Sequence, residues 1–433
     1  MKEVKRNLRY FLFTGFSWSV FDALTVAFLT VFALALGASN TVVGLLSAVT
    51  YLAAFAAELP GARLLDLFPK KELVAWTGLV ARLGWLLMAF VPFLFSSHPL
   101  VWIVCVFAFI RFVELLGDPG WTALVADIVP ERKRGVFFGK RNMLIGLGGL
   151  GASVVGGVYL DLFPKDSFVG FSSLFVVGVL WSMLTFYCVM QIKEPRESHI
   201  HHLDGFSFSP VLWRFSLVSV VFYFSVMLAS PFFAVYMLKN LGLSYTWFVV
   251  AGGIATLARI AAQKHLGVVA DRMGDHHVAL VCMLGTAFVP LSYIFITPST
   301  WFLIIPAQIF SGIVWAGVDL AVFNLLLDYT DRVHRAAQSA AFNMMLSVSN
   351  IAGPLIGGLV ADSMSVLMLG GIPLVFAIST VLRGVSALLL VSLPEVRAKK
   401  NYSLGIVLKE ILSLHPSKGF EMKIVSAVKS RVK

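Results

Sequence analysis

Twelve long apolar runs constrain this chain more than any other feature of its sequence. They cover roughly residues 10–36, 41–65, 72–95, 99–127, 137–161, 167–192, 210–238, 245–270, 276–297, 299–327, 337–361 and 367–393. A helix needs about 20 mostly apolar residues to cross a bilayer. Backbone groups in hydrocarbon must also be paired, which only helices and closed barrels achieve. We therefore predict twelve transmembrane helices, numbered here as spans 1 to 12.

The composition agrees with a chain that faces lipid over most of its surface. Only 13% of the residues are charged and the mean hydropathy is +0.87, whereas a soluble domain carries about 25% charged residues. The formal net charge is +11, and most of the basic residues lie between the apolar runs. A lipid bilayer with an anionic inner leaflet is therefore a simpler partner than nucleic acid.

Lysine and arginine alternate between the loops, and this pattern predicts the orientation. The loops that follow even-numbered spans are basic and hold Lys70, Lys71, Arg132, Lys133, Arg134, Lys140, Arg141, Lys193, Arg196, Arg272, Arg332 and Arg335. In the other loops Lys165 and Lys239 are the clear basic residues. Cytoplasmic loops are enriched in basic residues. We expect both termini to be cytoplasmic and the protein to lie in the cell (inner) membrane.

The two halves of the chain repeat each other. Residues 127–161 match residues 328–362 at a constant offset, which pairs Gly156-Gly157 with Gly357-Gly358 and Asp118 with Asp319. Such a duplication predicts two parallel six-helix bundles. The expected domains are residues 1–192, a cytoplasmic linker at 193–209, residues 210–396, and a basic tail at 397–433.

Two segments leave alternatives open. The linker contains His199, His201 and His202, which fit either a metal site or a solvated tether. The tail fits either a helix lying on the inner leaflet or a disordered chain. We predict no resident metal, no cofactor and no enzymatic activity, because the sequence has no glycine-rich phosphate loop and no ATPase module.

Two loops carry related motifs. The loop after span 2 reads ARLLDLFPKK at 62–71, and the loop after span 8 reads GVVADRMGDH at 267–276. They resemble the signature of the major facilitator superfamily, in which Gly, three residues, Asp, Arg, one residue and Gly precede a basic pair. The matching residues are Asp66, Lys70, Lys71, Gly267, Asp271, Arg272 and Gly274. The second copy has Asp275-His276 in place of the basic pair, and the first has Ala62 and Pro69 at the glycine positions.

The resemblance covers about residues 10–395 and implies a secondary transporter that works by alternating access. It implies that Asp66 lies against the start of span 11 and Asp271 against the start of span 5 when the cytoplasmic ends are closed. Each carboxylate would then face the positive N-terminus of a helix. Arg134 and Arg335 are expected to pair with these acids. Solvated loops with positive-inside charge are the alternative interpretation.

Charges within the spans are the candidate substrate and proton sites, because a charge at mid-bilayer is costly. They are Asp22, Arg111, Glu114, Asp118 and Asp319, with Trp18 and Trp315 one turn before two of the acids. An acidic cavity lined by aromatic rings suits a cationic or amphipathic solute. Alternatively, Arg111 pairs with Glu114 within its helix, and Asp118 marks a helix break. Glu58, Arg82, Arg259, Lys264 and Arg383 are expected to reach the headgroups from nearer the helix ends.

These observations favour a proton-coupled exporter of small hydrophobic or cationic compounds, acting as a monomer. Import of a metabolite or sugar is the second hypothesis, although the spans contain few Asn and Gln side chains to bind hydroxyls. A non-transporting receptor or scaffold is the third, and the paired gate motifs argue against it.

Overall fold

The structure is a computed structural model of the chain. It describes residues 2–95, 97–129, 134–165, 167–193, 208–331, 334–363, 365–366, 369–394, 405–406 and 410. Several predictions fall outside these residues. They concern Arg132, Lys133, Arg196, Arg332, the histidines at 199, 201 and 202, and most of the linker and tail. The side chain of Arg134 also lies outside the described part.

Helices account for nearly all of the described chain. They are α1 Lys2–Leu24, α2 Val26–Ala35, α3 Asn40–Leu64, α4 Lys70–Leu94, α5 Pro99–Leu115, α6 Asp118–Ile128, α7 Arg134–Asp161, α8 Phe168–Met190, α9 Pro210–Ala229, α10 Phe232–Val235, a π-helix Tyr236–Asn240, α11 Tyr245–Met273, α12 Asp275–Phe295, a 3-10 helix Pro298–Leu303, α13 Ile304–Tyr329, α14 Arg335–Ser363 and α15 Ile372–Leu390. Twelve helical segments within the described residues are long and apolar enough to cross a membrane, which confirms the predicted spans.

The structure corrects the start of span 12. We expected it at residue 367, but the helix begins at Ile372. Before it, β1 (Ser365–Val366) and β2 (Leu369–Gly370) pair antiparallel. Gly371 follows with φ +62, a conformation that glycine adopts without strain. The apolar run therefore includes a short hairpin that hydropathy alone does not separate from the helix.

Three spans are broken near residues that disfavour a continuous helix. Span 1 breaks at Thr25, which has φ −123 and whose hydroxyl donates to the carbonyl of Phe21 at 2.7 Å. Span 4 breaks between Leu115 and Asp118, before Pro119. Span 7 breaks at Ser230-Pro231. Proline removes a backbone donor and clashes with the preceding turn, and a threonine bonded to its own backbone bends a helix.

The two halves pack in the same way. In the N-half (residues 2–193), span 1 packs on spans 5 and 6, span 3 on spans 4 and 6, and span 2 on span 4. In the C-half (residues 208–394), span 7 packs on spans 11 and 12, span 9 on spans 10 and 12, and span 8 on span 10. Between the halves, span 2 lies against span 11 and span 5 against span 8. The repeat in the sequence thus corresponds to a repeat in the packing.

Arg383 of span 12 is buried in the C-half core, so the expectation that it reaches the headgroups was wrong. Only 2% of the residue is exposed. Its Nε donates to Ser379 Oγ at 3.0 Å, its Nη1 to the carbonyl of Thr286 at 3.0 Å, and its Nη2 to the carbonyl of Val226 at 3.5 Å. The guanidinium therefore joins span 12 to spans 7 and 9.

We expect Arg383→Ala to destabilise the folded protein by about 3 kcal/mol, because it removes buried hydrogen bonds and leaves a cavity. The melting temperature of the purified protein in detergent measures this loss. Arg214→Ala is the matched control, since Arg214 is exposed on span 7. Equal melting temperatures for the two variants would contradict this role for Arg383.

Candidate substrate cavity and gates

A cavity of about 420 Å³ lies between the two halves, and we call it the central cavity. Spans 1, 5, 7 and 8 line it through Trp18, Ser19, Asp22, Ala23, Ala27, Ile145, Gly146, Gly149, Leu150, Ser153, Met237, Phe248, Val249, Gly252, Gly253 and Thr256. The lining is mostly apolar, and Asp22 is its ionisable residue. Asp22 lies just before the break of span 1, where its backbone carbonyl accepts a 3.3 Å hydrogen bond from Thr25.

A second cavity of about 320 Å³ lies within the N-half, and we call it the N-half cavity. It contains the span 4 residues Arg111, Glu114 and Asp118, together with Trp18. Arg111 Nη1 lies 2.5 Å from Glu114 Oε2, as the alternative interpretation of this pair expected. Asp118 is the first residue of the helix after the break. Trp18 therefore stands between the two cavities and lines both.

The two remaining site candidates lie in the C-half. Asp319 of span 10 forms an ion pair with Arg259 of span 8. Arg259 thus has a partner within the bundle, which corrects the expectation that it reaches the headgroups. Trp315 packs against Phe222 of span 7, with their ring centres 6.2 Å apart. Asp319 and Asp118 occupy equivalent positions in the sequence repeat, but the two acids have different environments.

The bundle has two ends that differ in charge. The basic end carries the loops after spans 2, 4, 8 and 10, and the opposite end carries the loops after spans 1, 5, 7 and 11. Several side-chain hydrogen bonds between described residues join the halves at the opposite end. They involve Asp161, Asp362 and Lys239, whose Nζ donates to the carbonyl of Ala38 at 3.0 Å.

The two acids form a symmetric pair of contacts that we call the acid clasp. Asp161, at the end of span 5, accepts hydrogen bonds from the backbone N–H groups of Tyr245 at 2.8 Å and Thr246 at 3.0 Å. Asp362, at the end of span 11, accepts from those of Asn40 at 3.1 Å and Thr41 at 2.7 Å. Each carboxylate thus caps the positive N-terminus of a helix in the other half.

The capped helices begin with the same local sequence. LGASNT at 36–41 starts span 2, and LGLSYT at 241–246 starts span 8. Gly37 and Gly242 have φ values of +82 and +69, a region that favours glycine. Ser39 and Ser244 are the N-cap residues, and their hydroxyls accept from the third residue of each helix at 3.3 Å. This leaves the first two N–H groups of each helix available to the acid.

Small residues let the helices approach each other beside the clasp. A Cβ on Gly358 would lie 2.8 Å from the carbonyl of Asn40, and a Cβ on Gly157 would lie 3.1 Å from the carbonyl of Tyr245. A Cβ on Gly44 would collide with the carbonyl of Pro354. The second glycine of each repeated Gly-Gly pair therefore packs between the halves, whereas Gly156 and Gly357 pack against helices of their own half.

The described side-chain contacts of two predicted gate residues at the basic end, Lys70 and Arg335, lie within their own halves. Asp66 and Asp271 are exposed. Lys70 pairs with Asp127 of its own half at 2.6 Å. Arg335 Nη2 donates to the carbonyl of Leu327 at 3.1 Å, also within its own half. The acid clasp and Lys239 join the halves at the opposite end.

The motif after span 8 is built around a one-residue turn. Span 8 ends at Met273 and span 9 begins at Asp275, and Gly274 between them has φ +95. Asp275 is buried and accepts from Asn324 Nδ2 at 2.8 Å, while His276 Nε2 lies 2.7 Å from the carbonyl of Leu390. The residues that replace the basic pair thus bind spans 10 and 12.

The other motif residues Lys71, Gly267 and Arg272 lie on the same basic end. Arg272 Nη1 lies 3.9 Å from Glu410 Oε1.

Comparison with known proteins identifies the family. The sequence profile of the Major Facilitator Superfamily matches residues 10–262 and 215–417. The chain is 25% identical, over 309 residues, to the multi-drug resistance efflux pump PmrA of Streptococcus pneumoniae serotype 4, a match that covers 66% of this chain and 72% of the pump.

Solved structures share the fold at low identity. The nucleoside transporter NupG superposes with a TM-score of 0.67 at 12% identity, over 90% of this chain and 99% of that one. A bacterial homologue of the iron transporter ferroportin, in an inward-facing state, superposes with a TM-score of 0.70 at 13% identity, over 90% of this chain and 98% of that one. The D-xylose-proton symporter superposes with a TM-score of 0.67 at 14% identity, over 90% of this chain and 97% of that one. With its twelve spans and repeated halves, this chain belongs to the Major Facilitator Superfamily of membrane transporters.

Proposed function

We propose that this chain is a secondary active exporter of small hydrophobic or cationic compounds, driven by exchange for protons. The observation that carries the proposal is Asp22, placed beside Trp18 in a largely apolar cavity between the halves. A cation is attracted both by a carboxylate and by the face of a tryptophan ring. The similarity to a multi-drug efflux pump supports export.

Proton exchange follows from the same carboxylate. A cationic compound and a proton compete for Asp22, because each neutralises the same charge in a poorly hydrated site. Glu114 and Asp118, in the N-half cavity on the other side of Trp18, are further candidates for the proton pathway. Arg111 holds Glu114 in place, and we propose that Asp319 with Trp315 provides a corresponding site in the C-half.

The acid clasp and the basic-end motifs supply the two gates of alternating access. We propose that the basic end is cytoplasmic, as the lysine and arginine pattern indicates. Under this proposal the structure represents the inward-facing state, and the clasp stabilises that state. When the clasp opens, Asp66 and Asp271 move against the starts of spans 11 and 5, near Arg335 and Arg134. Both gates lie within one chain, so we propose that a monomer suffices in the cell inner membrane.

We expect Asp271→Asn to slow export about twofold to fivefold, because a carboxylate at a helix N-terminus contributes about 0.3–1 kcal/mol. Its loss disfavours the outward-facing state. Export appears as uptake into inverted vesicles, and initial uptake rates normalised to the amount of protein measure this effect. Glu72→Gln, which changes an exposed acid at the same end, is the control. If Asp271→Asn exports at the wild-type rate, Asp271 is not part of the gate.

A metabolite or sugar importer is the second candidate, and one similar structure is that of a D-xylose-proton symporter. Against it, the described residues that line the central cavity include no Asn or Gln, the side chains that best bind sugar hydroxyls. A receptor or scaffold would have no use for two gates.

Proteoliposomes separate these candidates. Purified protein is reconstituted with a pH-sensitive dye inside the vesicles, and ethidium and D-xylose are tested as cargo. Ethidium movement coupled to opposite proton movement supports the exporter. Xylose movement in the same direction as protons would reject the exporter and support the importer. If neither cargo moves, both transport hypotheses are rejected and the receptor or scaffold remains.

A further inference from the structure

The N-half cavity contains an unusual concentration of arginine. Arg82 of span 3, Arg111 of span 4 and Arg141 of span 5 all line it. The Nε atom of each is buried and has no hydrogen-bond partner among the described residues. Buried polar groups in proteins are nearly always paired. Three such donors around one cavity therefore call for an acceptor.

The acids of this cavity account for only part of the positive charge. Glu114 is engaged by Arg111 at 2.5 Å. Asp118 is the other acid in the lining, so the cavity has one more guanidinium than carboxylate. Asp22, the next acid, lines the central cavity instead.

Aromatic rings cover the faces of the other two guanidinium groups. Arg82 Cζ lies 5.9 Å from the ring centre of Phe21, and Arg141 Cζ lies 5.2 Å from that of Trp121. Such contacts stabilise a cation. They engage the faces of the guanidinium groups and not the N–H groups at the edges, where the Nε of each arginine has no hydrogen-bond partner among the described residues.

The edge of a guanidinium matches a planar or tetrahedral oxyanion, which accepts two of its N–H groups at once. Trp18 and Trp121 add apolar walls to the same cavity, and such walls favour a flat aromatic body. An aromatic compound with one acidic group matches both features.

We propose that the N-half cavity binds an oxyanion, held by Arg82 and Arg141. The oxyanion is a carboxylate, sulfonate or phosphate; it belongs to a soluble aromatic acid, which also fits the tryptophan walls, or to a lipid headgroup. This site goes beyond the proposed export of cations, and it does not depend on the direction of transport. It extends the ligands of this transporter to aromatic acids.

Isothermal titration calorimetry on the purified full-length protein, in lipid-depleted detergent, tests the site. The probe is naphthalene-2-carboxylate, and naphthalene-2-carboxamide is its neutral match. Wild-type protein is expected to bind the carboxylate at least about tenfold more tightly than the carboxamide, because only the carboxylate forms charge-assisted hydrogen bonds. Arg82→Gln and Arg141→Gln are expected to remove most of this preference.

Two controls keep the result interpretable if a variant folds poorly. Arg141→Lys keeps the charge and is expected to retain part of the preference, whereas Arg63→Gln changes an exposed arginine outside the cavity and is expected to bind as wild type does. Competition with phosphatidylglycerol distinguishes the sources: displacement of the probe indicates a lipid headgroup, and its absence indicates a soluble acid. Equal binding of carboxylate and carboxamide by the wild type would overturn the proposal. Unchanged preference in well-folded Arg82→Gln and Arg141→Gln would do the same.

Discussion

Asp22→Asn is expected to abolish proton-coupled export of a cationic dye. Asparagine has nearly the shape of aspartate, but it neither carries a charge nor exchanges a proton. A charge-assisted contact is worth about 1.5–3 kcal/mol, so dye affinity should fall roughly tenfold to a hundredfold. The coupled proton movement should disappear as well, because the cation and the proton share this carboxylate.

Ethidium binding and dye-driven proton flux in proteoliposomes measure the two effects separately. Asp22→Glu keeps the carboxylate and should retain coupling at a reduced rate. Ser153→Ala alters another residue of the central cavity and should change both quantities little. If Asp22→Asn still exchanges dye for protons at the wild-type rate, Asp22 does not couple transport.

Breaking the acid clasp should have the second largest effect. In the double variant Asp161→Asn, Asp362→Asn, both carboxylates that cap helices of the other half lose their charge. Each capping contact is worth about 1–2 kcal/mol, so losing both should move the equilibrium about thirtyfold to a thousandfold toward the state open at the opposite end. Transport should slow, because the inward-facing state becomes less populated.

Thiol labelling in the central cavity reports this shift. Ser153→Cys places a thiol in the lining, in a background without Cys105, Cys188 and Cys282. An impermeant maleimide added from the opposite end should label the double variant faster than the parent protein. Glu72→Gln serves again as the control for the loss of an exposed acid. Identical labelling rates would mean that the clasp does not hold this end closed.

The span count and the repeated halves could be predicted from sequence, because both leave local signals. A run of about 20 apolar residues has few structural solutions in a membrane, and twelve such runs repeat in order. The helix breaks were partly visible as well, since Asp118-Pro119 and Ser230-Pro231 carry proline. Thr25 gave no comparable signal, because a threonine within an apolar run usually continues the helix.

The acid clasp was missed because its partners come from different halves of the chain. Asp161 and Asp362 stood out in the sequence only as the matching ends of the repeated segment. The repeated LGxSxT sequence at 36–41 and 241–246 was the available signal for the capped helices. Pairing these acids with these helices requires the packing of span 5 on span 8 and of span 11 on span 2, which no local pattern contains.

The arginines show the same limit in another way. Position along a span suggested that Arg82 and Arg383 reach the headgroups. In the structure Arg82 lines the N-half cavity and Arg383 is buried among backbone carbonyls. The direction of a side chain depends on the face of the helix and on its neighbours, and a helix whose faces are all apolar gives little indication of which one is buried.

Paired distance measurements test the central claim, that two halves rock about one cavity. Spin labels at Leu67 and Ala340 report the separation of spans 2 and 11 at the basic end, and labels at Leu162 and Asn240 report the opposite end; all four positions are exposed. Double electron–electron resonance is recorded in nanodiscs at high and low pH, with and without ethidium. We predict opposite changes, so that the basic-end distance shortens in the conditions that lengthen the other. Distances that stay fixed, or that lengthen together, would contradict alternating access in this chain.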